Sequence, residues 1–186
     1  MDPRQTLIAS RHNERYKALA DAGRKGRWKQ AYWCEGFRLC RSALDSGAEA
    51  LALVVTPEFA QKQPERLAEI EARLDAGPDR IIEVGRSGGY QTLLLKEDLF
   101  GRLAGTQAPQ GIALLLARRP LRPLRESRVH PRVLVLDRVQ DPGNAGTLLR
   151  SAAAFGFTQV VTVSGTVDLW GDKALRAGLG TTFAED

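Results

Sequence analysis

The stretch from Val133 to Thr162, "VLVLDRVQDPGNAGTLLRSAAAFGFTQVVT", constrains the fold more than any other part of this chain. An apolar run, a tight polar bend, a segment rich in small helix-forming residues and a second apolar run follow one another without spacer. Apolar runs of this length read as buried strands rather than helices. A strand, a helix and a strand joined by short turns must pair in parallel, with a crossover. The helix is expected from about Asn144 to Phe155, with Leu148, Leu149, Ala152 and Phe155 turned to the sheet. Ligands of open α/β sheets bind outside the carboxyl ends of the strands, and the 138–146 turn lies at such an end. Asn144 can cap the helix through its side-chain oxygen or point its amide at a substrate. Arg150 shares a face with Gly146 and Thr147, and the glycine leaves room for another backbone or a ligand. A surface arginine paired with Asp137 or Asp141 fits the pattern as well, and pattern alone leaves these alternatives open.

The first part of the chain alternates in the same way. "QAYWCEG", "ALALVVT", "RIIEVG" and "GIALLLA" read as strands. "NERYKALADAGRKGR", ending near Gly23, "FRLCRSALDSG", closed by Gly47, and "PERLAEIEARLDAG" read as helices punctuated by proline and glycine. Such alternation predicts an α/β layer architecture. "GRSGGY" lacks the lysine and following helix of a phosphate loop and reads as a turn. "RRPLRPLRESRVHP" has three prolines and no apolar periodicity, which marks a linker. The expected division is a first unit over 1–117, a linker over 118–131 and a second unit over 132–186. A parallel sheet needs cover on both faces, so the second unit reads as cut short.

Charge is distributed unevenly within the net +5. The first thirty residues hold Arg4, Arg11, Arg15, Lys17, Arg24, Lys25, Arg27 and Lys29 against three acids. A run of that kind attracts phosphate backbones without reading sequence, and it also serves as a solvated helix face. Tyr32 and Trp33 could stack on bases or pack in the core. Cys34 and Cys40 sit among apolar neighbours and read as reduced core residues. His12 and His130 are too far apart to seed a metal site, so no metal is expected. No apolar run approaches the roughly 20 residues of a membrane helix, and the N-terminus carries no secretory pattern. A cytoplasmic protein without a membrane partner is the expectation. A glycine fingerprint after the first strand is missing, which argues against a dinucleotide-binding dehydrogenase.

The motif over 133–161 closely resembles the first motif of the SpoU/TrmH-like RNA 2′-O-ribose methyltransferases of the SPOUT, or knotted, superfamily. The matching positions are Leu136, Asp137, Asp141, Pro142, Asn144, Gly146, Arg150, Ala152 and Gly156. "KALRAGLG" is similar to the segment that follows in that family. "HNERYKAL", Glu35-Gly36 and Pro109-Gln110-Gly111 resemble its substrate-recognition domain, an RNA-binding α/β fold like certain ribosomal proteins. The fold implied is therefore a ribosomal-protein-like α/β domain followed by an incomplete SPOUT parallel-sheet domain. The activity implied is methyl transfer from S-adenosylmethionine to a ribose 2′-hydroxyl of RNA, ribosomal more than transfer RNA. Asn144 and Arg150 become the ribose-side catalytic pair, and Lys17, Arg27 and Lys29 the expected RNA-binding residues. The family mechanism often makes the arginine a base, yet a guanidinium, five donors with no acceptor, is a poor one. A phosphate clamp suits Arg150 better.

Two later family motifs, a glycine-rich "GxE" loop and a loop with serine, leucine and asparagine, do not follow the 133–161 motif in the sequence. Those loops hold the cofactor and tie the knot. The resemblance thus implies a truncated chain with no cofactor-binding residues of its own, inactive alone, and without the dimer surface usual in the family. The competing expectation is a non-catalytic RNA-binding protein with a vestigial methyltransferase domain.

Overall fold

The structure is a computed structural model, and it describes residues 6–23, 31–75, 92–118 and 131–181. The chain divides into two compact units, Met1–Arg118 and Arg119–Asp186.

In the first unit the chain runs β1 (Thr6–Ile8), α1 (Glu14–Gly23), β2 (Ala31–Glu35), α2 (Phe37–Asp45), β3 (Ala50–Val55), α3 (Pro57–Lys62), α4 (Pro64–Asp75), β4 (Thr92–Leu95), α5 (Glu97–Leu103) and β5 (Ile112–Ala117). Its sheet has the order β1-β4-β3-β5-β2. β4 lies parallel to β1 and β3, whereas β5 runs antiparallel to both β3 and β2. All five residues of β2 are buried, as are Ile112–Leu116 of β5. Strands buried on both faces must be apolar throughout, which is why "IALLL" shows no alternation. The core includes Ile8, Val54, Leu95 and Phe100. Trp33 meets Phe100 with ring centroids 5.9 Å apart, a tilted contact favoured by ring quadrupoles. Tyr32 and Trp33 are both only 6% exposed and belong to the core, not to a base-stacking surface. Cys34 and Cys40 are free and buried.

Two cross-ties join the β2–α2 junction to the loop before β5. The buried Glu35 carboxylate accepts from the Gly105 amide at 2.9 Å and from the Thr106 hydroxyl. The Gln110 side-chain oxygen accepts from Phe37 N at 3.0 Å, satisfying an α2 amide that no local side chain caps. Gly111 has φ +81°, and a Cβ there would stand 2.5 Å from Thr56 Oγ1. Thr56 in turn caps α3 by accepting from Phe59 N, with Pro57 following at the first helical position. The expected strand "RIIEVG" and turn "GRSGGY" lie outside the described residues.

The second unit consists of β6 (Val133–Leu136), α6 (Pro142–Ala154), β7 (Gln159–Thr162) and α7 (Asp172–Gly178). β6 and β7 pair in parallel from Val133↔Gln159 to Leu136↔Thr162, as the strand–helix–strand pattern requires. Leu136, Leu149 and Leu175 are the fully buried large side chains of this unit. α6 and α7 pack closely at Gly146, where an added Cβ would lie 2.5 Å from Ala174 O, 2.6 Å from Ala177 Cβ and 2.7 Å from Gly178 N. The space beside Gly146 therefore belongs to a second backbone. Among the described residues no helix is long and apolar enough to cross a membrane.

Candidate functional site

The carboxyl ends of β6 and β7 open onto two loops that are laced together. Val163 N donates to Leu136 O at 2.9 Å and Val167 N to Val139 O at 2.9 Å. Between them Thr166 Oγ1 donates to Leu136 O at 2.9 Å and accepts from Arg138 N at 3.1 Å. This lacing places the Asp141–Asn144 bend on a fixed frame. Asp141 is the N-cap of α6, accepting from Asn144 N at 2.7 Å, and Pro142 occupies the first turn. That amide holds the Asp141 carboxyl below the ordinary aspartate value against the opposing effect of desolvation, and the positive charge of Lys173 adds to the lowering. The Lys173 ammonium stands 3.6 Å from the carboxylate.

The cap corrects one expectation from the sequence. The helix begins at Pro142 rather than near Asn144, so Asn144 sits inside the first turn and its side chain is not the cap. Aspartate before a first-turn proline was the signal that could have shown this. A second correction concerns the helix face. Leu149 and Ala152 are buried with Ala145 and Gly146, but Leu148 is 41% and Phe155 72% exposed. Residues 145, 149 and 152 form one inward stripe, and Leu148 sits about 100° round the axis from Leu149.

Asn144 and Arg150 are both exposed. Six residues apart on α6, they project about 120° from each other and about 9 Å apart along the axis. They do not share a stripe, so they can bracket an extended group but do not converge on one atom. Arg150 stands about 12 Å along α6 from Pro142, next to the stripe of Gly146 on which α7 packs. Neither acid considered for it is its partner, since Asp137 pairs with Arg138 at 3.8 Å and Asp141 with Lys173. Thr147, on its N-terminal side, returns its hydroxyl to Gly143 O at 2.9 Å. Lys17 is exposed on α1 of the first unit. Arg27 and Lys29 lie outside the described residues. Sequence reasoning passed over Arg138, within the turn itself, and Lys173 and Thr166, which meet this edge from a helix and a loop later in the chain.

Residues 131–186 match the model of the SpoU rRNA Methylase family. The chain is 41% identical over 126 residues to the 23S rRNA (guanosine(2553)-2'-O)-methyltransferase RlmP of Bacillus subtilis (strain 168), covering 68% of this chain and 48% of that protein. Among solved structures it is similar to an rRNA methyltransferase from Sinorhizobium meliloti, with TM-score 0.75, 26% identity, and coverage of 98% of this chain and 64% of that one. The AdoMet-bound structure of an rRNA methyltransferase from the same organism gives TM-score 0.74 at 25% identity, over 98% and 63% of the two chains. The chain thus spans about half the length of the curated relative and just under two thirds of the solved ones.

Proposed function

We propose, from the membership of residues 131–186 in the SpoU rRNA Methylase family, that this chain serves in transferring a methyl group from S-adenosylmethionine to a ribose 2′-hydroxyl of ribosomal RNA. The observation that carries the reading is the isolation of Arg150. Among the described residues of the second unit, Asp137 pairs with Arg138, Asp141 with Lys173 and Asp172 with Arg176, while Arg132 donates to Phe155 O and Asp168 accepts from Trp170 N. Arg150 alone among these charged groups is exposed with no partner, on the helix that follows the carboxyl edge of β6. A planar fork of donors left open in such a place suits a phosphate better than it suits the fold.

The donor set at this edge matches the RNA half of the reaction. The Asn144 amide offers both a donor and an acceptor to a ribose hydroxyl, and Arg150 offers N–H groups to an adjoining phosphate. Asp141 is already committed to Asn144 N and Lys173. S-adenosylmethionine supplies, when bound, an electrophilic methyl group. The chain's own part is positioning. The offset of about 120° and about 9 Å between Asn144 and Arg150 lets a sugar and its phosphate be held by separate hands. Fixing reactants in a reactive geometry can lower a barrier by up to about 7–11 kcal/mol. Arg150 offers donors and no acceptor, so the proton released from the hydroxyl passes to solvent water.

The test supplies a full-length version of the protein, carrying the later cofactor loops of the family, with S-adenosylmethionine tritiated on the methyl group and with deproteinised ribosomal RNA. A 2′-O-methyl group blocks alkaline cleavage, so the expected label survives alkali in dinucleotides. Arg150→Ala should abolish the label while RNA affinity stays within a few-fold. Label in mononucleotides would move the reaction to a base. Salt-dependent RNA binding without any label would replace the enzymatic reading by a non-catalytic RNA-binding one.

A further inference from the structure

Arg138 occupies a backbone conformation that side chains disfavour. Among the described residues only Arg138, φ +53°, and Leu179, φ +52°, are non-glycine residues with positive φ. Leu179 is the left-handed C-cap of α7, an ordinary helix ending. Arg138 ends no helix. Its left-handed turn sends its own N–H to Thr166 Oγ1 and lets Val139 O meet Val167 N. Glycine or asparagine would make that turn with less strain. The fold needs the turn and the N–H, and among the described residues the guanidinium meets only the exposed carboxylate of Asp137.

The side chain itself is placed and unburied. Its stem runs beside Gly165, where an added Cβ would lie 3.4 Å from Arg138 Cγ. Gly165, itself at φ +95°, thereby leaves the stem a seat on the loop after β7. The side chain is 76% exposed, and among the described residues its charged partner is the neighbouring Asp137, 69% exposed and 3.8 Å away. An exposed pair at that distance contributes almost nothing to folding. Unfavourable backbone geometry at the carboxyl edge of a parallel sheet, carrying a charge the fold does not use, points to a ligand.

Resting on the reading of this edge as an RNA-modifying site, we infer that Arg138 is a second RNA-phosphate contact, gripping the strand on the β6 side of the Asp141–Asn144 bend while Arg150 grips it from α6. The contact would be electrostatic and blind to base identity. Removing it should therefore change salt dependence more than sequence preference.

The experiment follows fluorescence anisotropy of a short labelled single-stranded RNA with the full chain. Each phosphate contact to a single strand contributes about −0.7 to the slope of log affinity against log salt. Arg138→Asn keeps the N–H and tolerates the left-handed turn, so it should melt no lower than wild type. It should also flatten the slope by about 0.7, shrinking the affinity lost between about 50 and 200 mM salt by about 2.6-fold. Arg138→Lys should keep the slope, and so should Lys62→Asn, whose residue pairs with Glu58 in the first unit. An unchanged slope in Arg138→Asn overturns the inference while the methyltransferase reading stands on its alkali-stable label. A lower melting temperature with unchanged affinity makes Arg138 structural and also overturns it, as does an equal flattening in Lys62→Asn. Wild-type affinity that ignores salt removes both the inference and the RNA reading.

Discussion

Replacing Gly146 by alanine should destabilise the second unit even though alanine is the better helix former. Midway along α6, the change gains about 1 kcal/mol in intrinsic helix propensity. Against that, the new methyl would stand 2.5 Å from Ala174 O, 2.6 Å from Ala177 Cβ and 2.7 Å from Gly178 N. Comfortable carbon contacts begin at about 3.5 Å, so α7 must withdraw by about 1 Å along its length. Two of the three atoms are backbone, and no rotamer change relieves them. Overpacking of this kind costs about 1–3 kcal/mol, and the stiffness of two helices in direct contact argues for the upper part of that range. The net expectation is a loss of about 1–2 kcal/mol, or about 4–16 °C in the melting of a unit of this size. Gly101 in α5 supplies the control, because a Cβ there meets nothing within 4 Å. Gly101→Ala should stabilise by about 0.4–1 kcal/mol. Calorimetry on the two variants reads both signs. A Gly146→Ala protein that melts at or above wild type would refute the close α6–α7 crossing, and with it the account of why glycine stands four residues before Arg150.

Other consequences follow from the caps and ties. Asp141→Asn should remove a pH-dependent part of stability. Because the folded carboxyl titrates below its unfolded value, its contribution is complete above about pH 3.9 and fades as pH falls through the folded value. Melting curves of the wild type and the variant should therefore differ at neutral pH and converge in acid; a difference that stays constant with pH would contradict the ionised cap. Glu35→Ala leaves the Gly105 amide and Thr106 hydroxyl without their acceptor, which costs about 1–3 kcal/mol. Glu35→Gln retains an acceptor and should recover part of that in chemical denaturation, whereas equal losses would show that the tie to the Gly105 loop carries no stability.

The parts of this fold that could be read from the sequence are those whose signal is local. "ALALVV" and "IALLLA" have the length and composition of buried strands, and the β6–α6–β7 order follows from alternation and turn length alone. β1 and β4 escaped notice because "TLI" and "TLLL" are three and four residues long, too short for a period to emerge. Pro57 both stops the apolar run of β3 and opens α3 behind the Thr56 cap. The ties that shape the candidate edge are long-range: Glu35 reaches Gly105, Thr166 reaches Leu136, and Gly146 is met by Ala174. A single sequence carries no sign of such pairings. It does mark glycine at 146 as needed for room, without saying whether a ligand or a helix fills it.

That distinction separates the motif into residues accounted for by folding and residues left over. Asp141 and Pro142 start a helix, Gly146 admits α7, and Leu149 and Ala152 bury the inner stripe. Each would be required of a protein with this architecture and no activity at all. Asn144 is not a cap, Arg150 has no partner among the described residues, and Arg138 holds a turn that a smaller residue would hold with less strain. These three carry polar or charged groups outward from a frame that gains nothing from their charge. A site whose chemistry resides in the leftover residues predicts an asymmetry: substitutions at 141, 146 or 149 should lower stability and activity together, while Arg150→Ala should lose activity at full stability. If Arg150→Ala also melted markedly lower, Arg150 would join the folding residues, and the proposed RNA-binding role of this edge would lose the group on which it rests.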